Sequence, residues 1–463
     1  MTLIKSISGI RGTIGGKPGE GLSPLDVLKF TASFATFIKN STGKQRIKMI
    51  VGRDARVSGE MVNHVVCGTL MGMGADVVDG GLSTTPTIEM AVIEEKADGG
   101  IILTASHNPE QWNALKLLNG RGEFISAKEG ASVLKMADEE SFDFSTIKEL
   151  GNYRQNDGFI DMHIQKILEL PLVDVKAIKK ASFSVAIDCV NSTGGIALPP
   201  LLKALGVKKT HELYCEPNGK FPHNPEPLPE NLSEISQLVQ KSNVDMGFVV
   251  DPDVDRLAIV TDEGEMFGEE YTLVAVADYV LQNDKGNTVS NMSSTRALRD
   301  VTNKYGASYS ASAVGEVNVV VKMKETNAVI GGEGNGGVIY PALHYGRDSL
   351  VGIALFLTHL AKSGNTCSAL RATYPDYFIS KNKIELSPEM DVDDILKKMA
   401  EKYKAHKPNT IDGVKIDFEN EWVHLRKSNT EPIIRIYAES NSETTAEHLA
   451  QKIIEDIRDI VRG

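Results

Sequence analysis

The chain has 463 residues, of which 41% are hydrophobic and 24% are charged, a composition typical of globular proteins. This length predicts three or four domains. The net charge of -12 argues against nucleic acid or an anionic membrane as the main partner, although a cleft of opposite local charge can still bind an anionic substrate.

The N-terminus and the cysteines indicate the compartment. Residues 1–6 lack the apolar stretch of a signal peptide, and the longest apolar run, residues 350–361, is too short to span a bilayer and predicts a buried helix. Widely spaced cysteines without a CxxC pair are typical of structural thiols in a reducing compartment. We therefore expect a cytoplasmic protein with no membrane partner. The four cysteines are Cys67, Cys189, Cys215 and Cys367.

Apolar β-branched runs alternate with segments of helical spacing along the chain. Strands are predicted at residues 48–52, 99–104, 182–188 and 246–251, and helices at residues 24–40, 231–241 and 270–282. This alternation favours α/β layers with mainly parallel or mixed sheets. Ligands of such sheets gather at the loops that follow the carboxyl ends of the strands, which is where Ser106 and Asp251 stand.

The second predicted strand leads into a polar turn, TASHNP, at residues 104–109. Pro109 favours an extended Asn108 and ends the strand, so the Ser106 hydroxyl is expected at a loop tip. A serine needs a base or a metal to become a nucleophile. Because neighbouring side chains diverge on an extended chain, we do not expect Ser106 and His107 to form a hydrolase pair. An ordinary polar turn is the alternative.

Three aspartates, Asp251, Asp253 and Asp255, alternate after the fourth predicted strand. Carboxylates so close together repel each other unless a cation neutralises them, and an all-oxygen ligand set favours Mg²⁺ or Ca²⁺ over zinc. An EF-hand is excluded, because Arg256 and Asp262 stand where its loop needs glycine and glutamate. A solvated acidic turn remains the alternative to a metal site.

Two further loops complete the set of motifs. The glycine-rich residues 331–337, GGEGNGG, lack the Lys-Ser/Thr of a P-loop and the spacing GxGxxG. Residues 426–432, RKSNTEP, combine a guanidinium, hydroxyls and an amide in one turn. Such a turn can bind phosphate through its backbone N–H groups and its arginine, and Arg435 follows on a predicted strand. A plain hairpin turn is the alternative.

These four motifs, in this order along the whole chain, resemble those of the α-D-phosphohexomutase family. The resemblance implies an α/β protein of four domains around a central cleft. Three are related α/β domains with mixed sheets, and the last is a smaller C-terminal α+β domain. One motif of each domain would face the cleft. The expected bounds are residues 1–153, 154–265, 266–374 and 375–463.

The resemblance also implies the reaction. Such an enzyme interconverts sugar 6-phosphates and sugar 1-phosphates through a phosphorylated serine, here Ser106, and a sugar 1,6-bisphosphate that is both intermediate and activator. One Mg²⁺ per chain would be bound by Ser106, Asp251, Asp253 and Asp255. The expected partners are small-molecule sugar phosphates, without nucleic acid, and the expected state is a monomer or a homodimer.

The remaining site residues follow from the matching motifs. Lys116 and Arg11 match family positions near the phosphoserine, and with Ser106 and the adjacent His107 they form the expected catalytic set. Glu333 and Asn335 match positions that bind sugar hydroxyls. The last loop would bind the phosphate that is not being transferred, through Arg426, Ser428, Asn429, Thr430 and Arg435.

The chain departs from the family pattern at several positions. Pro252 and Val254 replace the usual glycines between the aspartates, and Asn335 stands where a serine is usual. Gly337 takes the place of the usual histidine, a candidate group for proton transfer. His344 is a possible replacement, although an ordinary loop histidine is the simpler interpretation.

The identity of the sugar is the most specific expectation. Residues 8–12 and 430–432 resemble phosphoglucosamine mutases, whereas residues 335–337 and Asn429 also suit phosphomannomutase/phosphoglucomutase relatives. We favour glucosamine 6-phosphate to glucosamine 1-phosphate, with mannose or glucose phosphate as the alternative. A metal-dependent phosphatase and a non-catalytic sugar-phosphate sensor are more remote alternatives.

Overall fold

The chain forms four successive α/β units, each built on its own sheet, in a computed structural model that describes residues 1–6, 9–386, 390–427 and 433–462. The predicted fold class is confirmed. The predicted strands and helices are present, with ends shifted by at most two residues. Among the described residues, no helix has the length and apolar character needed to cross a membrane.

The first unit contains a seven-stranded mixed sheet and four helices. Its elements are β1 (Leu3–Ser6), β2 (Gly9–Thr13), α1 (Pro24–Thr42), β3 (Lys48–Arg53), α2 (Gly59–Gly72), β4 (Asp76–Leu82), α3 (Thr85–Glu94), β5 (Gly99–Leu103), β6 (Trp112–Asn119), α4 (Ala127–Asp138) and β7 (Tyr153–Gln155). The strand order is β1-β2-β6-β5-β3-β4-β7. The strands β5, β3, β4 and β7 are parallel, and every residue of β5 is buried, as expected for a central parallel strand.

The second unit contains a four-stranded sheet in the order β11-β10-β8-β9. Its elements are α5 (Phe159–Leu168), α6 (Val175–Ala181), β8 (Ser184–Asp188), α7 (Gly194–Leu205), β9 (Lys209–Leu213), α8 (Ser233–Ser242), β10 (Met246–Val250) and β11 (Leu257–Thr261), with a short 3₁₀ turn at Pro229–Asn231. Only β11 is antiparallel to its neighbour, and the aspartate loop is the connection between β10 and β11.

The third unit repeats this plan with the order β13-β12-β14-β15. Its elements are α9 (Glu269–Asn283), β12 (Asn287–Asn291), α10 (Ala297–Lys304), β13 (Tyr309–Ser312), α11 (Glu316–Thr326), β14 (Ala328–Glu333), β15 (Gly337–Ile339), α12 (Ser349–Ser363) and α13 (Cys367–Arg371). The glycine-rich motif forms the turn between β14 and β15, which are antiparallel.

The fourth unit is α+β, with an antiparallel sheet in the order β16-β19-β18-β17. Its elements are β16 (Phe378–Glu385), α14 (Val392–Lys402), β17 (Val414–Asp417), β18 (Trp422–Lys427), β19 (Ile433–Ser440) and α15 (Glu443–Arg462), with a 3₁₀ turn at Lys404–His406.

The apolar cores divide the molecule unevenly. One continuous core joins the second and third units, with α12 packed against helices of both. The largest cores of the first and fourth units are separate from it. A shared core holds the second and third units together, whereas the first and fourth units each have a principal core of their own. The first sheet includes β7 and so extends to Gln155; the expected bounds at 153, 265 and 374 remain predictions.

Candidate active site

Ser106 follows β5 in a left-handed turn with φ 49°, a conformation that residues other than glycine rarely adopt. Its N–H donates to Thr104 Oγ1 at 2.9 Å, and its hydroxyl donates to Asp251 Oδ2 at 2.8 Å. The turn brings His107 Nδ1 to 3.3 Å from Ser106 Oγ, so the expected divergence of these side chains is wrong, because it assumed an extended chain. Burial and the nearby Arg256 lower the pKa of His107 to about 2, which keeps the imidazole neutral.

The serine loop is held by Arg56, which the sequence analysis did not identify. This side chain is 1% exposed, and its Nε donates to Asp54 Oδ2 at 3.0 Å. Its terminal nitrogens donate to four backbone carbonyls of the loop and its exit, those of residues 106, 108, 109 and 112. Buried carbonyls without a strand partner need such donors. The signal in the sequence was the Asp-Ala-Arg that follows β3.

The three aspartates lie together and are fully buried. Asp251 Oδ1 accepts the backbone N–H of Asp255, which fixes the loop. Asp253 Oδ2 accepts from Lys116 Nζ at 2.7 Å. Val254 has φ 64°, in the left-handed region that a β-branched residue rarely adopts, so the aspartate loop is strained at this position.

The aspartate group fits a hard divalent cation. One ligand atom from each of the three residues lies within 4.8 Å of the others. Among the described residues, Asp253 Oδ1 and Asp255 Oδ1 are buried without a hydrogen-bond partner. Such orphaned carboxylate oxygens are costly unless a cation binds them, and oxygen-only sites suit Mg²⁺.

The residues predicted to lie near the serine are brought together. Arg11, on β2, lies with its Nη1 at 3.5 Å from Asn108 Oδ1. Lys116, on β6, is held between Asp253 and Asp255, whose carboxylates lie 2.7 and 3.5 Å from its Nζ. Burial alone would lower the pKa of Lys116, but the two carboxylates outweigh burial and raise it above its ordinary value.

Glu333 ends β14 and is held on two sides. Its Oε1 accepts from Asn291 Nδ2 at 2.9 Å and from the N–H of Gly315 at 3.0 Å, and its Oε2 accepts from Arg347 Nη1 at 2.9 Å. Asn335 Oδ1 is buried without a hydrogen-bond partner among the described residues.

Arg347 is a second residue that the sequence analysis missed. A Cβ at Gly337 would lie 2.4 Å from Arg347 Cδ, so the arginine fills the space of the expected histidine. Its Nη2 donates to Asp255 Oδ2 at 2.6 Å and its Nε donates to Glu316 Oε2 at 3.1 Å. Burial raises the pKa of Glu316 to about 7. The signal was the Gly-Arg-Asp that precedes the apolar α12.

A cavity of about 640 Å³ opens between the units beside Ser106. Its described lining comes from the first three units and is strongly charged. The charged lining residues are Lys5, Arg11, Lys116, Arg256, Glu316, Glu333 and Arg347. A cavity of this size and charge suits a small polar anion, and all four predicted catalytic residues line it: Arg11, Ser106, His107 and Lys116.

The fourth unit carries two predicted site arginines that are not among the described residues lining this cavity. Arg426 and Arg435 stand directly opposite each other on β18 and β19. Arg426 Nε lies 2.9 Å from Asp412 Oδ2, and Arg426 lines a separate cleft of about 500 Å³. The predicted phosphate-binding residues Ser428, Asn429 and Thr430 lie outside the described residues.

His344 does not take the place of the absent histidine. It is buried between Glu89 and Asp348, with its Nδ1 at 3.4 Å from Glu89 Oε2 and its Nε2 at 3.3 Å from Asp348 Oδ2. The space beside Gly337 is filled by Arg347 instead.

Comparison with known proteins agrees with this architecture. The chain matches the three α/β/α domains of phosphoglucomutase/phosphomannomutase at residues 3–144, 161–264 and 268–377, and its C-terminal domain at residues 384–456. It is 37% identical to a phosphoglucomutase/phosphomannomutase of Thermococcus kodakarensis, over 98% of this chain and 99% of that one. It is 33% identical to a phosphoglucosamine/phosphogalactosamine mutase of Sulfurisphaera tokodaii, over 98% of each chain.

A solved structure supports the same assignment. The crystal structure of a phosphoglucomutase/phosphomannomutase family protein from Burkholderia thailandensis superposes with a TM-score of 0.85 at 25% identity, covering 100% of this chain and 98% of that one. The agreement extends through all four units, as do the matched domains. The chain therefore belongs to the phosphoglucomutase/phosphomannomutase family and is a phosphohexomutase, an enzyme that isomerises sugar phosphates.

Proposed function

We propose that this phosphohexomutase interconverts glucosamine 6-phosphate and glucosamine 1-phosphate. The observation that carries the choice of sugar is the charge around Arg347. The guanidinium of Arg347 forms ion pairs with three carboxylates, those of Asp255, Glu316 and Glu333. The last two also line the cavity. The described lining is cationic as a whole, which suits phosphate, and its carboxylates are Glu316 and Glu333. A substrate ammonium group at C2 would pair with these carboxylates, whereas a hydroxyl carries no charge to pair with them.

The transfer begins with Ser106 phosphorylated. A hydroxyl of the bound sugar phosphate attacks the phosphorus, the bond to Ser106 Oγ breaks, and a bisphosphorylated sugar forms. The proton of the attacking hydroxyl ends on Ser106 Oγ. After this intermediate turns over, its other phosphoryl group returns to Ser106. Arg11 and Lys116 line the same cavity as Ser106 and would stabilise the charge on the transferring group. Mg²⁺ bound by Ser106, Asp251, Asp253 and Asp255 would supply further neutralising charge.

The phosphate that is not transferred would bind to the fourth unit. Arg426 and Arg435 are cross-strand neighbours, and Lys383 stands opposite Arg435 on the next strand. Like charges directly opposite each other destabilise a sheet, and a bound phosphate offsets this repulsion. Residues 428–430 connect to the same strands and would add hydroxyl and amide donors.

Activity assays test the proposal. Wild-type enzyme and Ser106→Ala are compared in coupled assays with Mg²⁺, a trace of sugar bisphosphate, and glucosamine, mannose or glucose phosphate. We expect the largest kcat/KM with glucosamine phosphate, and loss of isomerisation in Ser106→Ala because no group remains to carry the phosphoryl. Full activity of Ser106→Ala would contradict the phosphoserine mechanism for every sugar.

Phosphoglucomutase/phosphomannomutase activity is the second candidate. It is favoured by the name of the relative that is 37% identical along nearly the whole chain. A larger kcat/KM with glucose or mannose phosphate than with glucosamine phosphate would establish this alternative and leave the proposed transfer chemistry intact.

A further inference from the structure

A second cluster of metal-binding side chains lies where the first three units meet. His163 belongs to α5, Glu89 to α3, and His344 and Asp348 to the segment between β15 and α12. All four residues are at most 5% exposed. His163 Nε2 and His344 Nε2 lie 2.9 and 3.3 Å from the same oxygen, Asp348 Oδ2. One ligand atom from each of His163, His344 and Asp348 lies within 4.8 Å of the others.

The other nitrogen of each imidazole faces α3. His163 Nδ1 lies 2.9 Å from Thr87 Oγ1, and His344 Nδ1 lies 3.4 Å from Glu89 Oε2. Both carboxylate oxygens of Glu89 are buried without a hydrogen-bond partner within the described part of the chain. Histidines that bind metals are commonly oriented in this way, with the metal on one nitrogen and a carboxylate or another acceptor on the other.

The charges of the cluster also call for a cation. Asp348 and Glu89 place two carboxylates in a fully buried environment, and the imidazoles are neutral when they bind a metal. A cation bound there would neutralise Asp348 and would favour the charged form of Glu89, whose pKa is raised by burial. Asp348 Oδ1 accepts the N–H groups of Leu350 and Val351 at the start of α12, whereas Oδ2 faces the two imidazoles, so a bound ion would take the place of those two contacts.

We propose that His163 Nε2, His344 Nε2 and Asp348 Oδ2 bind a zinc-class transition metal, with Glu89 and Thr87 orienting the imidazoles. The separations of 2.9 and 3.3 Å match those between ligands that each lie about 2.0–2.2 Å from one ion. Two imidazoles and one carboxylate favour zinc, whereas the three aspartates beside Ser106 favour Mg²⁺.

The site has a structural role. Its ligands and orienting residues come from all three of the first units, so the ion fixes α3, α5 and the start of α12 relative to one another. Asp348 directly follows Arg347, whose guanidinium contacts Asp255 and Glu333. The metal would therefore hold Arg347 in the catalytic cavity. The inference does not depend on which sugar phosphate is the substrate.

Zinc retention tests the proposal. The full-length enzyme is incubated with Zn²⁺, dialysed against excess Mg²⁺, and assayed for zinc by mass spectrometry. We expect stoichiometric zinc in the wild type and in Asp251→Asn, and loss of that zinc in His163→Gln and His344→Gln. His359→Gln is the matched control, because His359 is a buried histidine outside the cluster, and it should retain zinc.

Two further measurements distinguish a histidine that binds zinc from one that only packs in the core. Zn²⁺ should raise the Tm of the wild type and of His359→Gln, but not that of the cluster variants. X-ray absorption at the zinc edge of the wild type should detect two imidazole ligands, even if a cluster variant fails to fold. A wild type without retained zinc, an all-oxygen zinc environment, or equal retention in the cluster variants would overturn the proposal.

Discussion

At the residue scale, Gly337 and Arg347 form a matched pair. The glycine leaves room for the arginine, whose Cδ would lie 2.4 Å from any Cβ at position 337. The same guanidinium pairs with Asp255, Glu316 and Glu333. A single exchange at 337 therefore disturbs both the packing and the charge balance of the cavity.

A histidine placed at position 337 should compete with Arg347 for the same space. Gly337→His is expected to destabilise the enzyme by about 1–3 kcal/mol, because the new side chain overlaps Arg347. In an Arg347→Ala background the same change should cost less, because the space is then free. Urea unfolding of the two single variants and the double variant measures the difference. If the two effects add to within about 0.5 kcal/mol, the side chains do not compete.

Glu316 offers a test of sugar recognition. Glu316→Gln keeps the shape of the side chain and removes one negative charge from the cavity. We expect kcat/KM for glucosamine phosphate to fall about tenfold further than for glucose phosphate, a difference of about 1.4 kcal/mol. Glu325→Gln, an exposed change on the same helix, is the control and should leave both values unchanged. An equal fall for both sugars would mean that Glu316 does not bind the amino group.

At the element scale, β18 docks the fourth unit onto the third through His424. The imidazole is 1% exposed, with Nδ1 at 2.9 Å from Ser293 Oγ and Nε2 at 2.6 Å from the carbonyl oxygen of Asp412. Burial lowers the pKa of His424 to about 4. Because the folded-state pKa lies below the unfolded value, the stability is fully present above about pH 6.5 and is lost as the pH falls towards 4.

Acidification should therefore loosen this docking. Between about pH 6.5 and pH 5 we expect His424 to account for a loss of about 2 kcal/mol of unfolding free energy, since each pKa unit is worth about 1.4 kcal/mol. The His424→Gln variant should lose less unfolding free energy over the same pH range, because glutamine does not bind a proton there. Denaturant unfolding at the two pH values gives the comparison. His448→Gln, an exposed histidine of α15, should behave as the wild type, and equal acid sensitivity in all three proteins would refute the assignment.

At the scale of the whole molecule, we propose that the fourth unit approaches the others during catalysis. Its principal core is separate from that of the second and third units, and Arg426 lies near Asp412 rather than among the described residues that line the Ser106 cavity. A sugar bisphosphate that reaches both Ser106 and the phosphate loop would draw the unit inwards. Closure would also exclude water from the phosphoserine.

Scattering and binding measurements test this closure. Sugar bisphosphate should reduce the radius of gyration of the wild type in solution. Arg426→Ala should weaken its binding about 10- to 100-fold, as expected for the loss of a hydrogen bond to a charged group worth about 1.5–3 kcal/mol, and should reduce the compaction. Lys452→Ala removes an exposed positive charge of α15, outside the cleft that Arg426 lines, and should alter neither. Unchanged binding of sugar bisphosphate in Arg426→Ala would show that β18 is not part of the phosphate site.

The sequence by itself determined the alternation of strands and helices and the chemical groups of each motif. Both are local properties: apolar periodicity sets an element, and the spacing of Asp251, Asp253 and Asp255 within one loop is enough to predict a cation site. The same local reasoning placed Ser106 directly after a strand. The replacement of the usual histidine by Gly337 could also be recognised from the motif. The position of Arg347, which fills the space that Gly337 leaves, could not be.

Only the tertiary structure decided which distant residues meet. Arg56 reaches the serine loop, Arg347 fills the space beside Gly337, and His163 meets His344 and Asp348, all through contacts between segments far apart in the chain. The left-handed turn at Ser106 likewise depends on its surroundings, because an isolated serine disfavours that conformation. Packing supplies the free energy that holds such strained and charged groups in place, and packing is not a local property of the sequence.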